Sequence, residues 1–137
     1  METFQVHILA ADKNFYEGPC VSMTIPTSDG EVGILAHHSS MIAAVQPGTL
    51  RYQPPGEEPR HAAISPGMVK VEGNEVLVLV DSVERPEEID AVRAQREIDQ
   101  AREVLLQKRS RQEHQIAQAT MARALNRLRV KNMGIGR

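Results

Sequence analysis

Three arginines in the second half of the chain have the side-chain type and spacing to bind an anion. Arg123 and Arg127 lie four residues apart, so they share one face of any helix that carries them. If this half of the chain is an antiparallel helical hairpin that turns near residue 109, Arg93 lies level with the middle of that pair. Planar guanidinium groups match phosphate oxygens in a two-point geometry. The spacing therefore indicates a phosphate-binding cluster.

Ordinary ion pairs are the alternative arrangement for the same arginines. Glu84 and Asp90 lie near Arg93 in the sequence and could neutralise the cluster through salt bridges on the helix surface. Three like charges at one level of a hairpin repel each other unless carboxylates or a bound anion lie among them. Charge counts alone favour the ion pairs, and the residues by themselves leave both interpretations open.

Other reactive side chains do not form a catalytic pattern. His37 and His38 adjoin a β-rich region that contains Glu31, but no further ligand follows at metal-binding spacing, and adjacent residues of a strand point to opposite faces. Cys20 has no neighbour in the sequence that would activate a nucleophile, and a glycine-rich phosphate loop is absent. A single cysteine also excludes an internal disulfide and is typical of a reducing compartment. We expect a non-catalytic protein without a bound metal.

A boundary at Pro86 divides the chain into the two parts that must position these residues. All 8 prolines and all aromatic residues lie at or before it, whereas residues 87–133 contain neither glycine nor proline. Before the boundary, period-2 alternation such as Phe4, Val6 and Ile8 is interrupted by turn residues about every ten positions. The pattern predicts an α+β chain: an antiparallel β-sandwich over residues 1–85, then an antiparallel two-helix hairpin over residues 86–137, with helices at about 87–107 and 111–131.

The junction between the predicted helices permits two conformations. Ser110 and Glu113 have the spacing of a capping box, which starts a new helix and favours a folded hairpin as the resting state. Because the junction has no glycine or proline, nothing forbids helical dihedrals there, and the tail could also form one rod of about 70 Å at about 1.5 Å per residue. The sequence therefore predicts a switchable tail.

Charge is divided at the same boundary. Residues 1–86 carry 5 Lys and Arg against 11 Asp and Glu, whereas residues 87–137 carry 11 against 7. Residues 107–137 hold 8 basic side chains and one carboxylate, so this end is expected to meet an anionic partner. No apolar run is long enough to span a bilayer, and no signal-peptide pattern follows Met1. If the protein acts at a membrane, we expect another subunit to hold it there.

One long motif resembles the signature of the epsilon subunit of F-type ATP synthase. It runs from Pro26 through the Asp29-Gly30 turn to Leu35, and continues from Met41 to Gly48. Three further stretches share the resemblance, namely His38, residues 15–18 and residues 80–84. The chain departs from the family pattern at residues 36–37 and Ser40, where many relatives have prolines, and in the insert 53–59.

This resemblance implies a rotor subunit of a bacterial ATP synthase. In that family the β-sandwich docks on the gamma subunit and on the ring of c subunits, coupling proton-driven rotation to ATP synthesis. The positions here that match the ring-facing edge are Glu31 and His38, with Met41 as an apolar neighbour. The family also implies that the basic tail opens, contacts the alpha and beta subunits, and restrains ATP hydrolysis. The expected location is the cytoplasmic face of the cell membrane, as a peripheral part of the complex.

A second part of the resemblance concerns nucleotide. Residues 89–94 are similar to the first half of the ATP-binding motif of some bacterial epsilon subunits, and residues 123–127 to its second half. The resemblance implies that the phosphates are held by Arg93, Arg123 and Arg127. It also implies that the base is lined by Ile89, Asp90 and Ala91, and that the carboxylate of Glu84 completes the site. Gln100 stands where ATP-binding relatives carry another arginine. ATP is thus expected as a regulatory ligand and not as a required cofactor.

A different class of protein remains as the alternative. A β-sandwich adaptor could bind nucleic acid through a basic helical hairpin, because arginine-rich helices can follow phosphates. Against it stand the formal net charge of −2, the absence of aromatic residues from the tail, and the acidic first half. An enzyme ranks third and would require a metal or substrate site around His37 and His38.

Overall fold

The computed structural model describes residues 2–135, with side chains up to residue 133. The last residues of the predicted basic tail, 136 and 137, lie outside the described residues. The chain forms two compact units, Met1–Glu84 and Arg85–Arg137. The first is built from strands and the second from helices, so the predicted β-sandwich followed by two packed helices is confirmed.

Ten strands make up the first unit. Their bounds are β1 Phe4–Ala10, β2 Lys13–Cys20, β3 Ser22–Thr27, β4 Gly30–Ile34, β5 Met41–Val45, β6 Gly48–Gln53, β7 Arg60–Ile64, β8 Gly67–Glu72, β9 Glu75–Val80 and β10 Val83–Glu84. They are joined in the order β10-β7-β6-β3-β5-β8-β9-β1-β2, and β4 pairs with β3. The sheet folds over a single apolar core.

One strand pair departs from the expected antiparallel arrangement. The described pairs are antiparallel except that β1 runs parallel to β9, with Val6 opposite Val76 and Ile8 opposite Val78. A parallel pair requires a long connection, and the seven strands between β1 and β9 supply one. Alternation within each strand gave no information about which strand would become its partner.

Alternating apolar residues form the core of the β unit, as their period-2 pattern predicts. Val6 and Ile8 of β1 are buried, as are Val76 and Val78 of β9, while the residues between them point outward. The other large, fully buried side chains come from the central strands: Met23, Ile25, Ile34, Val45, Leu50, Tyr52 and Val69. This core supports β4 and β5, which carry or flank the predicted ring-facing residues.

The hairpin between β3 and β4 turns through Ser28 and Asp29. Gly30 begins β4 with a φ of +107°, a conformation that disfavours residues with a Cβ atom. Thr27 holds the turn from the other side, because its Oγ1 accepts the Asp29 N–H at 3.2 Å and donates to the Gly30 carbonyl at 2.7 Å. The hairpin expected at Asp29-Gly30 therefore forms, with its loop one residue earlier.

Two α-helices follow a short 3-10 turn at Pro86–Glu88. α1 spans Ala91–Leu106 and α2 spans Arg111–Ile135. The first helix was expected to start near residue 87, but it begins at Ala91 because Asp90 is the residue that caps it. The second helix was expected to end near residue 131. It continues to Ile135, since neither glycine nor proline occurs between its start and residue 133.

A small apolar core joins the two helices. Ala94 and Ile98 of α1 pack with Ala124 of α2, and Met121 and Leu128 are half-buried against them. Their spacing of three or four residues places them on one face of each helix. Ile98 is the only large side chain among the fully buried members, so a few contacts hold this part of the hairpin closed.

Candidate nucleotide site and hinge of the helical hairpin

The turn between the helices is held by polar contacts around Ser110. The Ser110 hydroxyl accepts the backbone N–H of Glu113 at 3.1 Å and also lies 3.1 Å from that residue's carboxylate. Arg109 donates to the Glu113 carboxylate at 3.0 Å and to the Gln107 side chain at 2.8 Å. His114 Nε2 lies 2.9 Å from the Gln107 carbonyl oxygen, where its N–H tautomer donates. The capping box thus works together with a larger polar cluster.

The contacts of this turn favour the ionised form of the Glu113 carboxyl. The Arg109 guanidinium first, and the Ser110 hydroxyl second, lower the pKa of the Glu113 carboxyl below its ordinary value. Because the pKa is lower in the folded turn than in the open chain, the contact stabilises the turn above the ordinary glutamate pKa. The stabilisation is lost as the pH falls through the folded pKa.

We therefore expect the amides at the start of α2 to lose protection on acidification at a pH below the ordinary glutamate pKa. The measurement is an NMR pH titration of the isolated chain that follows the Glu113 side-chain carboxyl and the Ser110 amide. A Glu113→Gln variant should remove the pH dependence of the Ser110 signal. An ordinary glutamate pKa for Glu113 would contradict the prediction.

The residues expected to line a base lie at the start of α1. Ile89 is buried, Ala91 is half-buried, and Asp90 is exposed and caps the helix. The Asp90 carboxylate accepts the Arg93 backbone N–H at 3.1 Å. As a helix cap, the Asp90 carboxylate binds the backbone of Arg93, and this contact does not involve the Arg93 guanidinium group.

A carboxylate that the sequence analysis did not single out lies between two of the predicted arginines. Glu97 Oε1 lies 3.4 Å from Arg93 Nε and 3.7 Å from Arg127 Nη1. The structure thus brings Arg93 of α1 and Arg127 of α2 to the same oxygen atom. The sequence did contain a signal, because Arg93 and Glu97 have the i, i+4 spacing of a helical ion pair.

The remaining predicted nucleotide residues lie on α2 and on β10. Arg123 is exposed on α2, one turn before Arg127. Glu84 belongs to β10 of the first unit, where it pairs with Ala63 of β7. Besides the predicted partners Glu84 and Asp90, Glu97 is a carboxylate that forms ion pairs with Arg93 and Arg127.

A groove of about 300 Å³ lies between α1 and α2, on the side toward the turn. Gln100 lines it, at the position where the resemblance suggested a missing arginine. The other lining residues are mostly small or apolar: Ala101, Val104, Ile116, Ala117 and Thr120, with Glu97 and Glu113 at its edges. The groove therefore has carboxylates at its rim and no described basic side chain in its lining.

The predicted ring-facing residues lie on β4, β5 and the loop between them. Glu31 is exposed on β4, and Met41 of β5 packs partly against the core. His38 is half-buried in the loop, where its Nδ1 lies 2.7 Å from the Ser39 carbonyl oxygen. Two large apolar side chains of this region are exposed to solvent. Leu35 is 64% exposed and Ile42 is 71% exposed.

Chemistry at the histidines and the cysteine is limited by their contacts. His37 lies in a turn with φ +64°, its N–H donates to Asn74 Oδ1 at 2.7 Å, and its ring lies 3.4 Å from the Glu2 carboxylate. Within residues 2–135, no three His, Cys, Asp or Glu side chains are arranged to hold a metal ion. Cys20 is buried, and that burial raises the pKa of its thiol.

Neither of the helices in the described part of the chain combines the length and apolar character needed to cross a membrane.

Comparison with known proteins identifies the family over nearly the whole chain. Residues 3–86 match the family described as "ATP synthase, Delta/Epsilon chain, beta-sandwich domain", and residues 87–132 match "ATP synthase, Delta/Epsilon chain, long alpha-helix domain". The ATP synthase epsilon chain of Caldanaerobacter subterraneus subsp. tengcongensis is 38% identical over 130 residues, which cover 94% of each chain. That of Ruminiclostridium cellulolyticum is 36% identical over 132 residues, covering 96% of this chain and 98% of the other.

Solved structures show the same fold. A chain of the Euglena gracilis mitochondrial ATP synthase aligns with a TM-score of 0.80 at 22% identity, over 88% of this chain and 76% of that one. A chain from the central stalk and c-ring of the Tetrahymena thermophila mitochondrial ATP synthase aligns with a TM-score of 0.67 at 12% identity, over 95% and 97%. Together with the sequence matches, these findings assign the chain to the ATP synthase epsilon chain family, a non-catalytic subunit of the F-type enzyme.

Proposed function

We propose that the chain is a rotor subunit of the central stalk, which couples proton-driven rotation to ATP synthesis and regulates ATP hydrolysis through a mobile helical hairpin. Family membership over both units is the observation that carries this proposal. The fold supports it, because a chain of similar fold belongs to the central stalk and c-ring assembly of Tetrahymena thermophila. With the family established, nucleic-acid binding is not needed to explain the basic tail.

The β unit is the part that docks on the gamma subunit and the c-ring. Glu31, His38 and Met41 are the residues proposed for the ring-facing edge, and the exposed Leu35 and Ile42 add apolar area to the same region. Large apolar side chains exposed at a proposed docking edge are consistent with a surface that a partner covers. Through these contacts the complex would hold the subunit peripherally at the cytoplasmic face of a bacterial membrane.

The helical unit is the regulatory part. Its closed form is held by the core around Ile98, by further buried residues such as Val130, and by the polar turn at Ser110, which contains neither glycine nor proline. A limited number of contacts therefore separates the hairpin from an extended tail. Extension would carry 8 basic side chains of residues 107–137 toward the alpha and beta subunits, where charge attraction favours binding.

Removal of residues 107–137 tests this regulation. We expect the truncated chain to assemble with gamma and the c-ring, and the assembled enzyme to hydrolyse ATP faster than the wild-type complex. The physical reason is that the β unit has its own core, whereas the inhibitory contacts require the tail. Hydrolysis rates of purified complexes and co-purification of the subunits are the measurements.

A reversible lock provides the matched control for truncation. Ala101 and Ala117 are buried on facing helices and line the same groove, so Ala101→Cys with Ala117→Cys is the pair chosen to test a disulfide lock of the closed hairpin. The oxidised complex should hydrolyse ATP as fast as the truncated one, and reduction should restore inhibition. A hydrolysis rate unchanged by truncation would contradict the proposed regulation.

Nucleotide binding is the second part of the proposed regulation. Arg93, Arg123 and Arg127 would hold phosphates of ATP, with Ile89, Asp90 and Ala91 near the base and Glu84 as a further ligand. The support is that Arg93 and Arg127 meet at one carboxylate oxygen, which demonstrates that both guanidinium groups reach a common anionic group. ATP would favour the closed hairpin by the difference between its affinities for the closed and extended tails.

A further inference from the structure

The carboxylate of Glu97 occupies the position between the arginines where a bound anion would be expected. Arg93 belongs to the same helix as Glu97, but Arg127 belongs to the facing helix, so Glu97 joins α1 to α2. The Glu97 side chain is 27% exposed and that of Arg127 is 32% exposed. This contact is therefore shielded from solvent more than an ordinary surface ion pair, and its attraction is screened less.

Carboxylate and phosphate are competing ligands for a guanidinium group. Both are oxygen anions that accept charge-assisted hydrogen bonds from the same N–H groups. A phosphate that approaches Arg93 and Arg127 meets a negative carboxylate at less than 4 Å from each of them. Binding must either displace Glu97 or leave two anions side by side, which is unfavourable at short distance.

We propose that Glu97 is a built-in counter-anion of the arginine cluster. It holds the hairpin closed in the absence of nucleotide and gives way when a phosphate group binds. This inference rests on the proposed nucleotide site. It assigns to Glu97 control of the affinity of that site for nucleotide and of the effect of bound nucleotide on the tail.

Two consequences follow for regulation. When phosphate binds, it replaces the Glu97 carboxylate as the partner of the arginines. The affinity for phosphate is therefore lower than it would be at an arginine cluster without a carboxylate partner. ATP also adds less to the stability of the closed hairpin, because Glu97 already links the helices before ATP arrives. The tail therefore stays closed over a wider range of nucleotide concentration than it would without Glu97.

A titration of the isolated full chain tests the proposal. Wild type, Glu97→Gln and Glu103→Gln are each titrated with ATP and with inorganic tripolyphosphate by calorimetry. Glu103 is an exposed carboxylate of the same helix, so its variant matches the change in net charge. We expect Glu97→Gln to bind both probes about fivefold tighter, the size expected when one ion pair no longer competes, and Glu103→Gln to bind as wild type does.

The unliganded hairpin provides a second readout. Nuclear Overhauser contacts between Ile98 and Ala124 should weaken in Glu97→Gln and recover when tripolyphosphate is added, whereas Glu103→Gln should keep them throughout. Because an opened hairpin would hide a gain in affinity, the titration is repeated in the oxidised Ala101→Cys and Ala117→Cys background, in which the helices stay together.

Each outcome decides between the possibilities. Tighter binding of both probes by Glu97→Gln alone supports the counter-anion. Equal affinity of wild type and Glu97→Gln overturns the counter-anion and leaves the proposed nucleotide site intact. A gain in affinity confined to ATP also overturns the counter-anion, because Glu97 competes only with phosphate. Failure of all variants to bind at millimolar concentration, in the locked background as well, overturns the nucleotide site and the counter-anion together.

Discussion

Replacement of Ile98 with alanine is expected to shift the helical unit strongly toward its open form. Ile98 is 1% exposed and packs between Ala94 and Ala124, and the closed hairpin has no other large side chain buried as completely in that cluster. Truncation of a buried isoleucine costs about 2–4 kcal/mol, because apolar contacts are lost and a cavity remains. This loss is a large part of the free energy that so small a core can contribute to the closed hairpin.

Hydrogen exchange measured by NMR on the isolated chain would show this effect. We expect amides of α1 and α2 to exchange about 30-fold faster or more, the factor that corresponds to a loss of about 2 kcal/mol. The amides of the β unit should not change, because that unit has a separate core.

Val92→Ala is the matched control for Ile98→Ala. Val92 is an apolar residue of the same helix but is 69% exposed, so its truncation removes little buried area. Its exchange rates should stay close to those of wild type. Similar rates in the Ile98 and Val92 variants would show that the small core does not govern closure of the hairpin.

Replacement of Gly67 with alanine is expected to be the most damaging small substitution in the β unit. Gly67 lies opposite Val80 in the β8–β9 pair. An added Cβ would overlap the Leu79 carbonyl oxygen and lie 2.7 Å from Val80 Cα, and both are backbone atoms of the paired strand. These atoms cannot move away without disrupting the pairing, so we expect a loss of about 3 kcal/mol in the free energy of unfolding.

Gly33→Ala provides the comparison for Gly67→Ala. Gly33 belongs to β4, and a Cβ added there meets nothing within 4 Å. Urea unfolding of both variants, followed by far-ultraviolet circular dichroism, should show a much lower midpoint for Gly67→Ala and a midpoint near that of wild type for Gly33→Ala. Equal midpoints would mean that β8 and β9 adapt to the added methyl group.

Much of the fold could be predicted because the signals are local. Alternation over a few residues defines the strands, and Ser110 with Glu113 marks the start of α2 within one residue. Strand partners are a different matter. The parallel pairing of β1 with β9 depends on the path of the whole chain between them, which no short pattern records.

The start of α1 shows that an acidic residue can either cap a helix or pair with an arginine. The first helix was predicted to start at about residue 87, but Asp90 caps the helix and delays its start to Ala91. The same capping contact leaves Glu97 as the carboxylate that bridges Arg93 and Arg127. Sequence proximity pointed to Glu84 and Asp90, whereas the helical repeat of about four residues places Glu97 beside Arg93, and the packing of α2 on α1 brings Arg127 to it.

The parallel β1–β9 pair also has a consequence for biosynthesis. Phe4–Ala10 leaves the ribosome early, but its neighbour Glu75–Val80 is made only after most of the first unit has been translated. Contacts between distant parts of a chain form slowly, and an unpaired strand edge can associate with other chains meanwhile. β2 reduces that exposure, because it follows β1 directly and covers its other edge as soon as it emerges.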